Sequence, residues 1–119
     1  MKTWSICIVL YAVFMPRVDV LAQEFKGDPG KGQAIYRDYC LRCHGEALDG
    51  KGPEASSLKV APANFHAPHS RIKSESELKM TVRRGRSFTE MHGWDDQLRT
   101  AQIIDAVAYI RSVVPQEGP

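Results

Sequence analysis

Residues 40–44 read Cys40-Leu41-Arg42-Cys43-His44. On a helical turn, positions i and i+3 share a face, so the sulfurs of Cys40 and Cys43 are presented together. His44 follows directly and offers an imidazole nitrogen from the same side. Two thiols placed to meet the vinyl groups of one porphyrin, beside a histidine placed to bind its iron, make C-x-x-C-H the attachment pattern of a c-type haem. The implied cofactor is one covalent haem c with its iron, held by Cys40 and Cys43, with His44 as proximal ligand.

Other chemistries fit the motif less well. A dithiol redox pair sits at the start of a helix after a strand in a βαβ pattern, and no alternating, strand-like segment precedes Cys40. A structural zinc ion needs four ligands. The third cysteine, Cys7, and the histidines His66, His69 and His92 supply no second pair at the required spacing. A disulfide across two intervening residues is geometrically poor and leaves His44 unexplained.

Residues 1–22 have the pattern of a cleaved signal peptide. Lys2 gives a basic start, residues 4–15 form a short apolar run, Pro16 ends it, and Val20-Leu21-Ala22 precedes a plausible cut. The run is shorter than the ~20 apolar residues of a membrane-spanning helix; the competing reading is an uncleaved anchor. Cleavage removes Cys7 and leaves two cysteines, both used by the haem. Export also suits the chemistry, because haem attachment takes place outside the bacterial cytoplasm, and the expected compartment is the periplasm. Residues 23–119 then form one small domain, in which a porphyrin would serve as part of the core. Taking Lys2, Arg17 and Asp19 from the 16 basic and 14 acidic side chains leaves near neutrality. That balance argues against a nucleic-acid partner.

Local signals place helices around the motif. Asp28-Pro29-Gly30 is a helix start with Asp28 as N-cap, and residues 31–41 continue at helical spacing into the motif. Gly50, Gly52 and Pro53 mark a turn-rich loop, while Pro62 and Pro68 predict an extended path over residues 60–70. Ser74 and the acids after it open a short helix that Gly85 stops. Residues 86–96 form a loop with Met91 and Trp94. Thr100 is the expected cap of a last amphipathic helix with Ile103, Ile104, Val107, Ala108, Ile110 and Val114 on its apolar side, ended by Pro115. With no convincing strand, the class is all-α.

The second iron ligand decides function. A closed Met/His pair suits electron transfer and raises the potential, whereas an open distal site suits binding or activating small molecules. Met80 and Met91 are the methionines beyond the leader. Met80 lies in a helix whose spacing does not separate packing from ligation. Met91 sits in a polar loop, an odd place for a packing methionine, and is the expected distal ligand. His92 beside it is a competing imidazole; His66 and His69 read as solvent-facing loop residues.

The chain resembles the small monohaem class I c-type cytochromes, including cytochrome c domains that are subunits of larger oxidases. The resemblance rests on Gly32-x-x-x-Tyr36 before the haem motif, Asp49-Gly50-Lys51-Gly52-Pro53, Ala61-Pro62-Ala63-Asn64-Phe65, Met91-x-x-Trp94 and residues 105–112. It implies a cytochrome c fold of three to five helices around one haem, with Gly32, Tyr36 and Tyr109 where the first and last helices cross. It also implies a backbone carbonyl of the Ala61-Pro62 segment on the proximal histidine, and Pro62 and Trp94 in the haem pocket. One departure is His92, where the family commonly has proline after the ligand methionine.

Three functions remain in view: an electron shuttle between a donor and an acceptor redox protein, a haem sensor or peroxidase-like domain with a labile sixth ligand, and an electron-transfer subunit of a larger dehydrogenase or oxidase. No catalytic nucleophile, phosphate loop or substrate pocket is legible, so the chain reads as a carrier rather than an enzyme. Lys79, Arg83, Arg84 and Arg86 form a candidate basic rim for an acidic partner; solvated helix-end charges are the competing reading. Membrane association would require an uncleaved leader or a membrane-bound partner.

Overall fold

The first and last helices cross and hold the domain together. The structure, a computed structural model, describes residues 25–118, so the expected leader and its cut lie outside the described residues. Helix α1 is Pro29–Tyr39, α2 Leu41–His44, α3 Pro68–Arg71, α4 Glu75–Arg84 and α5 Thr100–Val113, with one 3-10 turn at Ala55–Ser57. Among the described residues there is no strand, only an isolated bridge between Gly85 and His92. The all-α expectation holds.

α1 starts as its residues dictate. The Asp28 side chain accepts from the Gly30 and Lys31 amides, and Pro29 occupies the first turn, where a missing N–H is no loss. Asp28 N also donates to the Asp105 carboxylate at 2.8 Å, tying the start of α1 to α5. At the crossing, Gly32 lies against the Asp105 carbonyl, where an added methyl would overlap backbone. Tyr36 and Tyr109 meet with ring centroids 5.4 Å apart, and the Tyr36 hydroxyl donates to the Gly45 carbonyl at 2.7 Å. This is the arrangement the resemblance implied. Gly32→Ala must push the helices apart, and is expected to lower stability by about 2–3 kcal/mol, the scale of backbone-displacing overpacking. A thermal melt of the holoprotein measures it.

α4 has the expected stops. Ser74 caps it in a capping box with Glu77, and Gly85 ends it with φ 72°. Leu78 and Val82 face inward. α5 buries Ile103, Ala106, Val107 and Ile110, a spacing of one helical stripe. These side chains pack with Ile35, Tyr36, Leu48, Phe65, Leu98 and Val114 into one core.

Three local expectations are corrected. The first helix does not run unbroken into the motif: it ends at Tyr39, and Cys40 joins it to the four-residue α2. Residues 60–70 are not extended throughout, because Pro68, at the first position of a helix, starts α3. The α5 cap falls at Arg99, with Thr100 already helical; Arg99 N donates to Gln102 at 3.0 Å, so a side chain inside the first turn serves the cap. On the same helix, Arg111 is buried.

Candidate haem site

α2 and the loop after it form one wall. A four-residue helix leaves its final carbonyls without helical partners, and the loop returns to meet them. Gly50, Gly52 and Glu54 N–H groups donate to the carbonyls of His44, Cys43 and Arg42 at 2.8, 3.0 and 2.9 Å. Gly52 passes so close to the Leu41 and Arg42 carbonyls that a side chain there would overlap them. The glycine-rich stretch after the motif is therefore a clamp on it. Arg42 and Glu54 pair across the same turn.

His44 is oriented from behind. Its ring lies against Phe65, centroids 5.0 Å apart, and its Nδ1–H donates to the Ala63 carbonyl at 3.2 Å. That bond assigns the proton to Nδ1 and leaves the Nε2 lone pair free, the state in which neutral imidazole binds a metal. Burial pushes the imidazole pKa down and the Ala63 carbonyl pushes it partly back. The backbone acceptor belongs to Ala63, one residue beyond the Ala61-Pro62 pair.

Both thiols are free. Burial, reinforced by the neighbouring Cys43, pushes the Cys40 thiol up to about 12. Cys43 is also raised, by burial first and Glu54 next, against the lowering effect of Arg42. Dithiol oxidoreductases need the opposite, a lowered thiol pKa that supplies thiolate. In this pair the shifts run the other way, upward.

Cys40, Cys43 and His44 line one wall of a cavity of about 450 Å³, within the size range of cofactor sites. Leu78, Val82 and Ile110 supply apolar wall from α4 and α5, and Pro62, Ala63, Met91 and Trp94 complete it. Trp94 is anchored by its amide on the Val82 carbonyl at 3.0 Å and meets Tyr39 edge-on at 5.6 Å. Met91 is half-buried and packs against the core. Met80 is 45% exposed and lines no part of the cavity. His92 reaches the cavity rim, but it is exposed, its ring stacks on Trp94 at 4.2 Å, and its Nδ1–H donates to the Gly93 carbonyl at 2.7 Å. His66 is exposed, with Nε2 2.8 Å from the Ala47 carbonyl; neither it nor exposed His69 lines the cavity. Among the described residues no cluster of three or more His, Cys, Asp or Glu could hold a bare metal ion. An apolar cavity bearing two thiols, one oriented imidazole and one thioether fits a porphyrin with its iron.

Sequence reasoning missed three features. The Ala63 carbonyl has no side-chain signature. Phe88 has φ 62° at a fully exposed position, and only an unusual residue in a turn hints at it. Arg111 donates to the carbonyls of Ser70, Lys73 and Val114 at 3.3, 2.5 and 3.4 Å, and a backbone cradle of that kind leaves no sequence pattern.

The fold and the site define a small class I cytochrome c domain with haem c as its cofactor. Residues 27–110 match the family described as cytochrome c oxidase, cbb3-type, subunit III. The chain belongs to that family, and it is a haem electron-transfer domain. It is 33% identical over 87 residues to the dihydro-haem d1 dehydrogenase of Pseudomonas aeruginosa; the match covers 72% of this chain and 16% of that protein. It also resembles the solved structure of dihydro-haem d1 dehydrogenase NirN, with a TM-score of 0.53 and 29% identity over 75% of this chain and 16% of that one. The reducing HAO-like protein complex of Kuenenia stuttgartiensis shares the fold, with a TM-score of 0.64 and 24% identity, covering 74% of this chain and 43% of that one. The chain thus spans about a sixth of the dehydrogenase's length and 43% of the HAO-like protein's.

Proposed function

We propose that this chain is an electron carrier whose haem is bonded through Cys40 and Cys43, with His44 and Met91 as axial ligands. The observation that carries the reading is that Met91, 47 residues beyond His44 in sequence, lines the same cavity as Cys40, Cys43 and His44. A bound haem c supplies one-electron Fe(III)/Fe(II) chemistry. The chain's part is to hold both ligands in both oxidation states. Ala63 fixes the His44 ring, and the α2 clamp holds the backbone that carries it. On the other side, Arg86 N donates to the Met91 carbonyl at 2.8 Å, and Met91 N donates to the Thr89 hydroxyl at 3.2 Å, pinning the backbone of Met91 from both sides. Pro62, Trp94 and the wall from α4 and α5 make the lining of the cavity largely apolar.

The expected ferrous protein is six-coordinate and binds no carbon monoxide before denaturation. Rapid binding by the native protein would favour the sensor or peroxidase-like alternative. The carrier role extends to the periplasm, with residues 1–22 as a cleaved leader. N-terminal sequencing of the exported protein is expected to begin at Gln23. Among the described residues, no helix is long and apolar enough to cross a membrane.

A second reading has its own support. The matched region is a small part of a dehydrogenase, which favours the same shuttle chemistry within a larger redox complex. Co-purification of a stable complex under native conditions would establish it.

A further inference from the structure

The loop over residues 85–92 closes the cavity beside Met91 and is tied at its neck. Gly85 and His92 form the antiparallel bridge, and Thr89 closes back on the Arg86 carbonyl through its amide at 3.3 Å and its hydroxyl at 2.9 Å. At its tip, Phe88 combines two unfavourable properties. Its backbone is left-handed, φ 62°, a genuine outlier for a bulky side chain. Its ring is also completely exposed, at 101% of the reference area.

Leu48 is the useful contrast. It is the other non-glycine residue with positive φ among the described residues, at 60°, but only 1% exposed. Burial in the core offsets its strain. Nothing within the described chain offsets that of Phe88, and a glycine or asparagine would meet the turn's backbone demand more easily. Backbone strain of this kind clusters where a chain meets a ligand or partner.

The surroundings indicate the chemistry of that contact. Glu90 accepts from Lys59 N at 2.8 Å, joining residues 59–60 to the loop as one rim of the cavity, with Val60 46% exposed. Lys59, Arg84 and Arg86 are exposed on this rim and its flank. None of them has an ion-pair partner among the described residues, whereas Arg42 and Glu54 at the cavity wall neutralise each other. Glu90 is the opposing charge, engaged with backbone amides. An apolar tip on a loop that also bears exposed bases without ion-pair partners complements an acidic surface with an apolar centre.

We propose that Phe88 anchors the docking of an acidic redox protein, with Lys59, Arg84 and Arg86 as its charged surround. This rests on the electron-carrier reading. Transient redox contacts are small, so one aromatic anchor dominates them, and this one places the partner against the loop that carries Met91.

The test is stopped-flow reduction of the ferric holoprotein by a reduced acidic [2Fe–2S] ferredoxin, with ascorbate as the small-molecule reference. In each encounter the ferredoxin cluster loses one electron and the ferric iron gains it; no bond forms or breaks. Phe88→Ala is expected to lower the second-order rate constant with ferredoxin by on the order of tenfold. The ascorbate rate and the absorption spectrum should not change. Phe88→Trp should keep most of the ferredoxin rate, and Lys59→Glu with Arg86→Glu should flatten its fall with salt. Equal ferredoxin rates for wild type and Phe88→Ala, with ascorbate reducing both, would overturn the docking assignment alone. A wild-type chain without haem, or one that ascorbate cannot reduce reversibly, would overturn the carrier reading and the docking assignment with it.

Discussion

Replacing Cys40 and Cys43 together by alanine is expected to give a protein that keeps no haem through acidified acetone and no cooperative thermal transition. Two physical terms make this the largest effect. The thioether bonds are the only covalent links proposed between chain and cofactor, so any haem left on the variant is held by His44 and Met91 alone. The second term is the cavity. About 450 Å³ of missing interior, at ~24 cal/mol per Å³, corresponds to an upper bound on the order of 10 kcal/mol. That is as large as the whole stability of an ordinary domain. The core side chains Phe65, Leu78, Val82 and Ile110 all line it, so without haem they have no common surface to pack on. Each single variant, Cys40→Ala or Cys43→Ala, should retain haem through one thioether and melt between wild type and double variant. Heat denaturation followed by circular dichroism, with haem measured before and after extraction, checks the series. A haem-free double variant with wild-type cooperativity would show that the chain folds without its cofactor.

Met91→Ala should have the next largest effect, on redox properties rather than folding. Loss of the thioether sulfur opens one axial position and removes the ligand that favours the ferrous state. The reduction potential is expected to fall by on the order of 100 mV, which at 59 mV per tenfold is roughly a fiftyfold shift of the redox equilibrium. The weak sulfur-to-ferric-iron band should vanish and the ferrous variant should bind carbon monoxide. Two controls sharpen the assignment. Met80→Ala should leave potential and spectrum alone, because Met80 is exposed and outside the cavity. His92→Ala should do the same, because the His92 side chain is exposed and its ring is stacked on Trp94. Spectroelectrochemistry of the three variants separates methionine from histidine ligation.

The proposed attachment residues and the helix crossing are legible in the sequence because each depends on local chemistry. Cys40, Cys43 and His44 announce themselves by spacing, Asp28 and Ser74 by capping, and Gly32 by the bulk it lacks at the contact with Asp105. The resemblance added the pairing of Gly32 and Tyr36 with Tyr109. What the sequence hid are interactions made by backbone. The Ala63 carbonyl and the carbonyls around Arg111 become partners only when distant segments meet. The break at Cys40 leaves no signal in residue type, because Tyr39, Cys40 and Leu41 carry no Gly or Pro to mark it. Met91 could be preferred to Met80 from its polar loop alone, and the fold brings Met91 but not Met80 to the cavity.

The central claim is a haem that exchanges one electron while keeping His44 and Met91. The most direct measurement is a spectroelectrochemical titration of the wild-type holoprotein, followed at the sulfur-to-iron charge-transfer band. One reversible one-electron wave is predicted, with the band lost on reduction, fully regained on reoxidation, and unaffected by carbon monoxide present throughout. A high-spin ferric spectrum without that band, or a wave displaced by carbon monoxide, would contradict the account.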